Sequence, residues 1–250
     1  MGIFKKISPF ERKDLFIAWI ALAIAFTIAL CTGVGGLVSY ISSLVSGQPI
    51  DFNGIQLLIA FLAALIIVGF SFVGHELAHK FTAMHYGFWS EFRKSNPMLV
   101  MSVCLAALLG VVFAAPGATL ISTDGKPLTK QQNGIISAAG PLTNIVLLII
   151  FAALMIIGVA LDGGYIMNGG YIYTMTPAGF LFYLGYSGWL VNAMFAFFNM
   201  LPVGPLDGKK IFRWNPLVFL ILIAAAVFLL YIPFDYNMMT NIIQFFVPVA

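Results

Sequence analysis

The chain has 250 residues, of which 61% are hydrophobic and only 8% charged, against about a quarter charged in an ordinary soluble domain. With a mean hydropathy of +1.02, this composition excludes a soluble globular protein and predicts an all-α polytopic membrane protein. The net charge of +3 calls for no nucleic-acid partner, because the basic residues fall beside apolar runs, where membrane topology accounts for them.

Taken in chain order, apolar runs long enough to span occupy about 15–45, 55–78, 133–161, 177–201 and 216–233, with a shorter one at 98–115. Five to six transmembrane helices in a single domain, 1–250, are therefore expected. Before the first run, Glu11, Arg12, Lys13 and Asp14 interrupt the approach from Lys5 and Lys6, and no small-residue cleavage site follows. An uncleaved N-terminus is predicted. Cys31 and Cys104 lie in apolar segments without C-x-x-C spacing, so they are expected to be buried small hydrophobes rather than a disulfide or metal pair.

All Lys and Arg fall in four clusters: Lys5, Lys6, Arg12 and Lys13; Lys80, Arg93 and Lys94; Lys126 and Lys130; Lys209, Lys210 and Arg213. The loops around Asp51, Asp162 and Asp235 have none. Positive clusters favour the cytoplasmic side, which predicts a multi-pass protein of the cell membrane with its N-terminus inside and its C-terminus outside. Both ends of the 95–125 segment then lie on one side. A full crossing at 98–115 would need a return through about ten residues, so this segment is expected to be re-entrant. After it, Thr119 to Ser122 reads as a short strand running into an Asp124-Gly125 turn, a hairpin signal.

The residues with chemistry begin at the end of the second run, with His75-Glu76-Leu77-Ala78-His79. Positions four apart share a helix face, so both imidazoles can ligate one zinc while Glu76 addresses a water beside it. From 133 to 206 the one formal charge is Asp162, and the next is Asp207, closing Asn199-Met200-Leu201-Pro202-Val203-Gly204-Pro205-Leu206-Asp207-Gly208. Two prolines three apart break the helix and let the carboxylate turn sideways. The charge map puts it on the same membrane side as His75 and His79, the cytoplasmic side. Two imidazoles, one carboxylate and an open position make a catalytic zinc centre with one ion.

On these residues the chain resembles the site-2 protease family of intramembrane zinc metalloproteases, in its compact prokaryotic form. The resemblance rests on His75-Glu76-x-x-His79, on Asn199-x-x-Pro202 with Leu206-Asp207-Gly208, and on Gly140-Pro141-x-x-Asn144. It covers about 55–213, the expected catalytic core. It implies cleavage of transmembrane helices of membrane-protein substrates, as in regulated intramembrane proteolysis, with His75, His79 and Asp207 as metal ligands and Glu76 as base. Asn199 or Asn144 would hydrogen-bond the developing oxyanion or hold the substrate backbone. The strand at 116–122 resembles the family's membrane-associated β element, onto which an unwound substrate would pair. The 98–115 insertion departs from the most compact members.

Two other functions use the same residues. Buried His, Glu and Asp also mark ion pathways in transporters and channels, and a catalytically silent membrane chaperone would keep the fold without turnover. His85 stands ten residues after His75, a third-ligand spacing. The turning glycine of that pattern is replaced by Thr82, and a continuing helix turns His85 away. It is expected at the membrane interface.

Overall fold

A computed structural model describes residues 7–33, 36–46, 54–112, 116–123, 125, 127–162 and 176–248. Among these, five helices are long and apolar enough to cross a membrane: Pro9–Thr32, Gly54–His85, Lys130–Leu161, Pro177–Asn199 and Pro216–Phe234. The shortest has 19 residues and reaches about 29 Å at 1.5 Å per residue, enough for a hydrocarbon core of about 30 Å. The protein is a mainly helical, multi-pass membrane protein. Asp51, Asp124, Lys126 and the Lys5-Lys6 pair lie outside the described residues.

Helix α1 (Pro9–Thr32) starts where Ser8 Oγ accepts the Glu11 N–H at 3.1 Å and Pro9 fills the first turn. The apolar run read as one segment over 15–45 does not continue as one helix. It breaks at Gly33, whose φ of +64° ends α1, and α2 (Gly36–Val45) follows. The second span is α3 (Gly54–Val68), a π-helical turn (Gly69–Val73) and α4 (Gly74–His85). Trp19 Nε1 donates to the Leu65 carbonyl at 2.8 Å and locks α1 to α3.

The segment at 98–115 forms α5 (Asn96–Leu109), whose 14 residues extend about 21 Å, too short to cross. Its two flanks pair: β1 (Trp89–Lys94) runs antiparallel to β2 (Gly117–Ser122), and Ser95 N–H donates to the Pro116 carbonyl at 2.7 Å. The chain thus enters and leaves at one place, as parity requires. The antiparallel pair expected near the site is present. Its strands are joined through α5, and β2's partner is β1 rather than a strand beyond the Asp124-Gly125 turn. Gly110, at φ +69°, ends α5 so close to Gly33 that an added Cβ would overlap its carbonyl oxygen. The α1–α2 break thereby covers backbone that lipid could not satisfy.

Helix α6 (Lys130–Leu161) opens with a reciprocal capping box between Thr129 and Gln132. It packs along α7 (Pro177–Asn199) and holds α8 (Asp207–Trp214) against its first turns, where Gly134 leaves room for the Trp214 ring. The fifth span, α9 (Pro216–Tyr231), ends in a short 3₁₀ turn, and α10 (Tyr236–Phe246) follows. A core of Leu22, Phe26, Ile67, Phe72, Phe92 and Phe195 joins α1, the second span, β1 and α7. Outward faces carry exposed Ile149, Ile150, Leu220 and Ile221, as contact with lipid demands. Cys31 and Cys104 are likewise exposed, contrary to the burial expected of them. They occupy helix surfaces that lipid can cover.

Candidate metal centre

One turn of α4 separates His75 and His79, and their ring centroids lie 4.6 Å apart. The π-helical turn Gly69–Val73 directly precedes α4, and such turns loosen the regular carbonyl ladder, often beside functional sites. Here the Ser71 carbonyl accepts from Asn144 Nδ2 at 3.0 Å. Asn144 Nδ2 also donates to Asn192 Oδ1 at 3.0 Å, and Asn192 Nδ2 to the Gly188 carbonyl at 2.8 Å. Because carbonyls only accept, both amides are oriented unambiguously. Asn144 Oδ1 then faces His75 Nδ1 at 2.6 Å, so His75 Nδ1 donates.

His79 is oriented in the same way. Its Nδ1 lies 2.7 Å from the Ile136 carbonyl, to which it can only donate. Pro141 lacks the N–H that would reach the neighbouring Ser137 carbonyl, one residue past Ile136. With both Nδ1–H groups committed, the neutral rings present lone pairs at Nε2. These two atoms are 3.0 Å apart. Asp207 Oδ2 lies 3.0 Å from His79 Nε2 and 3.5 Å from His75 Nε2. Three acceptors with no hydrogen between them repel unless a cation joins them. Tetrahedral zinc with bonds of about 2.0–2.1 Å separates its ligands by about 3.3 Å, close to the observed spacings. The residues fit a zinc ion, and all three are buried.

Asp207 reaches this point because Pro202 and Pro205 end α7 and α8 begins at the Asp itself. Gly208 is required beside it, since an added Cβ would overlap the Met200 carbonyl. Burial alone would raise the Asp207 carboxyl, but when the facing His79 and His75 carry protons at Nε2 their charge and hydrogen bonds outweigh it and hold it well below the usual carboxylate range; a bound metal ion would take the place of those protons. Its second oxygen, Oδ1, lies 3.4 Å from Lys210 Nζ. Gly140 is as confined: a Cβ there would stand 2.5 Å from both imidazole Nε2 atoms.

Glu76 is buried beside the histidines, and its Oε2 accepts from Thr119 Oγ1 of β2 at 2.8 Å. These groups open onto a cavity of about 290 Å³ bordered by β2, Asn199 and Lys210. Asn199 commits one amide hydrogen to the Phe195 carbonyl at 2.9 Å. Asn144 is fully buried behind His75, with both ends of its amide engaged, and is not among the residues that line the cavity. His85 is exposed at the end of α4, edge-on to Tyr86, and stands apart from the His75, His79 and Asp207 group.

Sequence reasoning missed Asn192, the Ser71 and Ile136 carbonyls, and the contact of Thr119 with Glu76. It also missed a buried pair: Lys80 Nζ, one residue past His79, donates to Glu11 Oε2 at 2.9 Å. Only strand β2, of these, left a recognised signal.

No family model matches the chain, and no solved structure does. A protein of Methanocaldococcus jannaschii, provisionally named a zinc metalloprotease, is 38% identical over 164 residues, covering 66% of this chain and 76% of that protein.

Proposed function

Because this chain belongs to the zinc metalloprotease family of that archaeal relative, we propose that it is an intramembrane endopeptidase of the site-2 protease type, with His75, His79 and Asp207 holding one zinc ion. The observation that carries this reading is the convergence of three buried acceptor atoms beside Glu76, at the end of a membrane-spanning helix and under a short β-strand. When bound, zinc supplies Lewis acidity, lowering a water's pKa from 15.7 to about 7 and polarising a carbonyl.

The chain's own residues perform the remaining steps. Glu76 Oε2 removes a proton from the water that attacks the scissile carbonyl, then delivers it to the departing amine nitrogen. Thr119 Oγ1, at 2.8 Å from Oε2, aims that carboxylate. Asn192 and Asn144 keep the His75 ring in one tautomer and rotation, and the Ile136 carbonyl does the same for His79. Asn199 retains an amide hydrogen for substrate backbone or an oxyanion.

The substrates are transmembrane helices of other proteins, as in regulated intramembrane proteolysis. A helix hides its amides, so it must unwind near the site. Residues Gly117 to Ile121 of β2 line the cavity, and β-strand addition there would satisfy the exposed backbone in a setting without water. The catalytic core is 55–213, within a protein of the cell membrane whose N-terminus and active site face the cytoplasm.

The test uses purified protein in detergent, zinc analysis and a single-span peptide. Wild type should hold one zinc and cleave; Glu76→Gln should keep zinc and lose nearly all turnover; His75→Ala should lose both. Near-wild-type cleavage by Glu76→Gln would sink the mechanism, and ion flux without cleavage in vesicles would favour a transporter.

A further inference from the structure

A second cleft, of about 410 Å³, opens beside the catalytic cavity and shares Asn133 and Lys210 with it. Its other lining residues are Leu128, Thr129, Lys130 and Arg213. This volume is in the range of about 300–1,000 Å³ typical of small-ligand sites. Three cations from two elements far apart in sequence thus meet in one depression, and among the described residues no carboxylate lines it.

The charge is not answered as it is elsewhere. Lys80 pairs with Glu11, and Arg93 with Glu91 and Asp14. Beside this cleft the carboxylate is Asp207, which gives Oδ2 to the histidines and leaves Oδ1 at 3.4 Å from Lys210. Among the described residues, Lys130 and Arg213 make no ion pair, and both are exposed. The start of α6 adds the positive end of a 32-residue helix.

Location identifies the occupant. Lys130 is the first residue of the third span, and Arg213 precedes Pro216, the first residue of the fifth. The cleft therefore sits where two spans enter the bilayer, at headgroup depth. Basic pockets between spans at that level suit the phosphate of an anionic lipid, which an Arg can grip bidentately. We infer that the Lys130, Lys210 and Arg213 cleft binds the phosphate of an anionic phospholipid headgroup. The occupant lies next to the catalytic cavity and competes for Lys210, the cation that touches Asp207.

Binding can be read without catalysis. Purified, delipidated protein is titrated with phosphatidylglycerol or phosphatidylcholine, and retained lipid is counted by native mass spectrometry. Wild type should retain phosphatidylglycerol in preference to phosphatidylcholine. Lys130→Gln with Arg213→Gln should weaken that binding by about thirtyfold, at one charge contribution per residue removed. The charge-preserving Lys130→Arg with Arg213→Lys should retain it, as should Arg12→Gln with Lys13→Gln at the exposed start of α1. Equal retention by the Lys130, Arg213 variant overturns the assignment. So does an equal loss in the Arg12, Lys13 control, which would indicate general surface charge. Displacement of the lipid by equimolar inorganic phosphate would assign the cleft to soluble anions and overturn the lipid reading.

Discussion

Glu11 and Lys80, 69 residues apart, are both fully buried and joined at 2.9 Å. Glu11 Oε1 also accepts the Phe92 N–H at 3.0 Å, while Lys80 Nζ donates to the Ser90 carbonyl and lies 4.9 Å from the Trp89 ring centroid. The pair thus ties the start of α1 and the strand β1 to the residue after His79. Glu11→Gln keeps the volume, but one of its two donors, Lys80 or Phe92, must then face an NH₂ group in place of an oxygen. Breaking a buried pair by removing one partner costs about 3–5 kcal/mol, whereas replacing both partners with apolar groups is often near neutral. Glu11→Gln and Lys80→Met should each lose about 3–5 kcal/mol in SDS-induced unfolding in mixed micelles, a large part of a typical total of about 5–15. Glu11→Leu combined with Lys80→Met should be less destabilised than the sum of its single variants by on the order of 2 kcal/mol or more. Because β1 carries β2, and Thr119 of β2 touches Glu76, the single variants should also turn over more slowly with zinc content unchanged. Single variants within about 0.5 kcal/mol of wild type, the scale of ordinary surface changes, would refute this account of the pair.

Gly140→Ala inserts a methyl group between the imidazoles while gaining up to about 1 kcal/mol of helix propensity, so zinc and activity should be lost from a protein that still folds; full zinc occupancy would contradict the geometry. Thr119→Val removes the 2.8 Å contact to Glu76 and should slow turnover on the order of tenfold, with zinc unchanged in metal analysis. Asp207→Ala should empty the site and abolish cleavage while His85→Ala leaves both intact, and metal content of the two purified variants decides this directly. Chelation should lower the unfolding midpoint, because removing the cation leaves three lone-pair acceptors facing one another within 3.5 Å; an unchanged midpoint after verified zinc removal would contradict that linkage.

What the sequence made legible follows from how local each signal is. His75 and His79 are one helical turn apart, so a 3.6-residue period suffices to place both on one face. Asp207 came from a different rule, since Lys and Arg clustering led to the expectation of a shared membrane side and the two prolines marked the helix break. Parity of the same clusters marked 98–115 as non-crossing, and a 14-residue helix with paired flanks is what the chain forms there. The break at Gly33 was hidden because hydropathy stays high across it. Strand β1 was hidden because its buried positions, Ser90 and Phe92, pair one polar with one aromatic side chain and give no apolar alternation.

The partners that orient the site left no such trace, for a physical reason. Asn144 and Asn192 are single amides in apolar helices, and each reads equally well as an interhelical hydrogen bond or as a substrate contact. Only the two backbone carbonyls of Ser71 and Gly188 resolve the choice, by dictating which end of each amide must face which way. One of those carbonyls accepts from within a π-helical turn, and the Ile136 carbonyl that orients His79 belongs to the first turns of α6. A helix carbonyl keeps a second lone pair for a side chain: the Ser71 oxygen accepts the Gly74 N–H as well as Asn144. The spare lone pairs of helix carbonyls thus become ligand-orienting groups, and the imidazole Nε2 atoms face Asp207 as a consequence of where those oxygens stand.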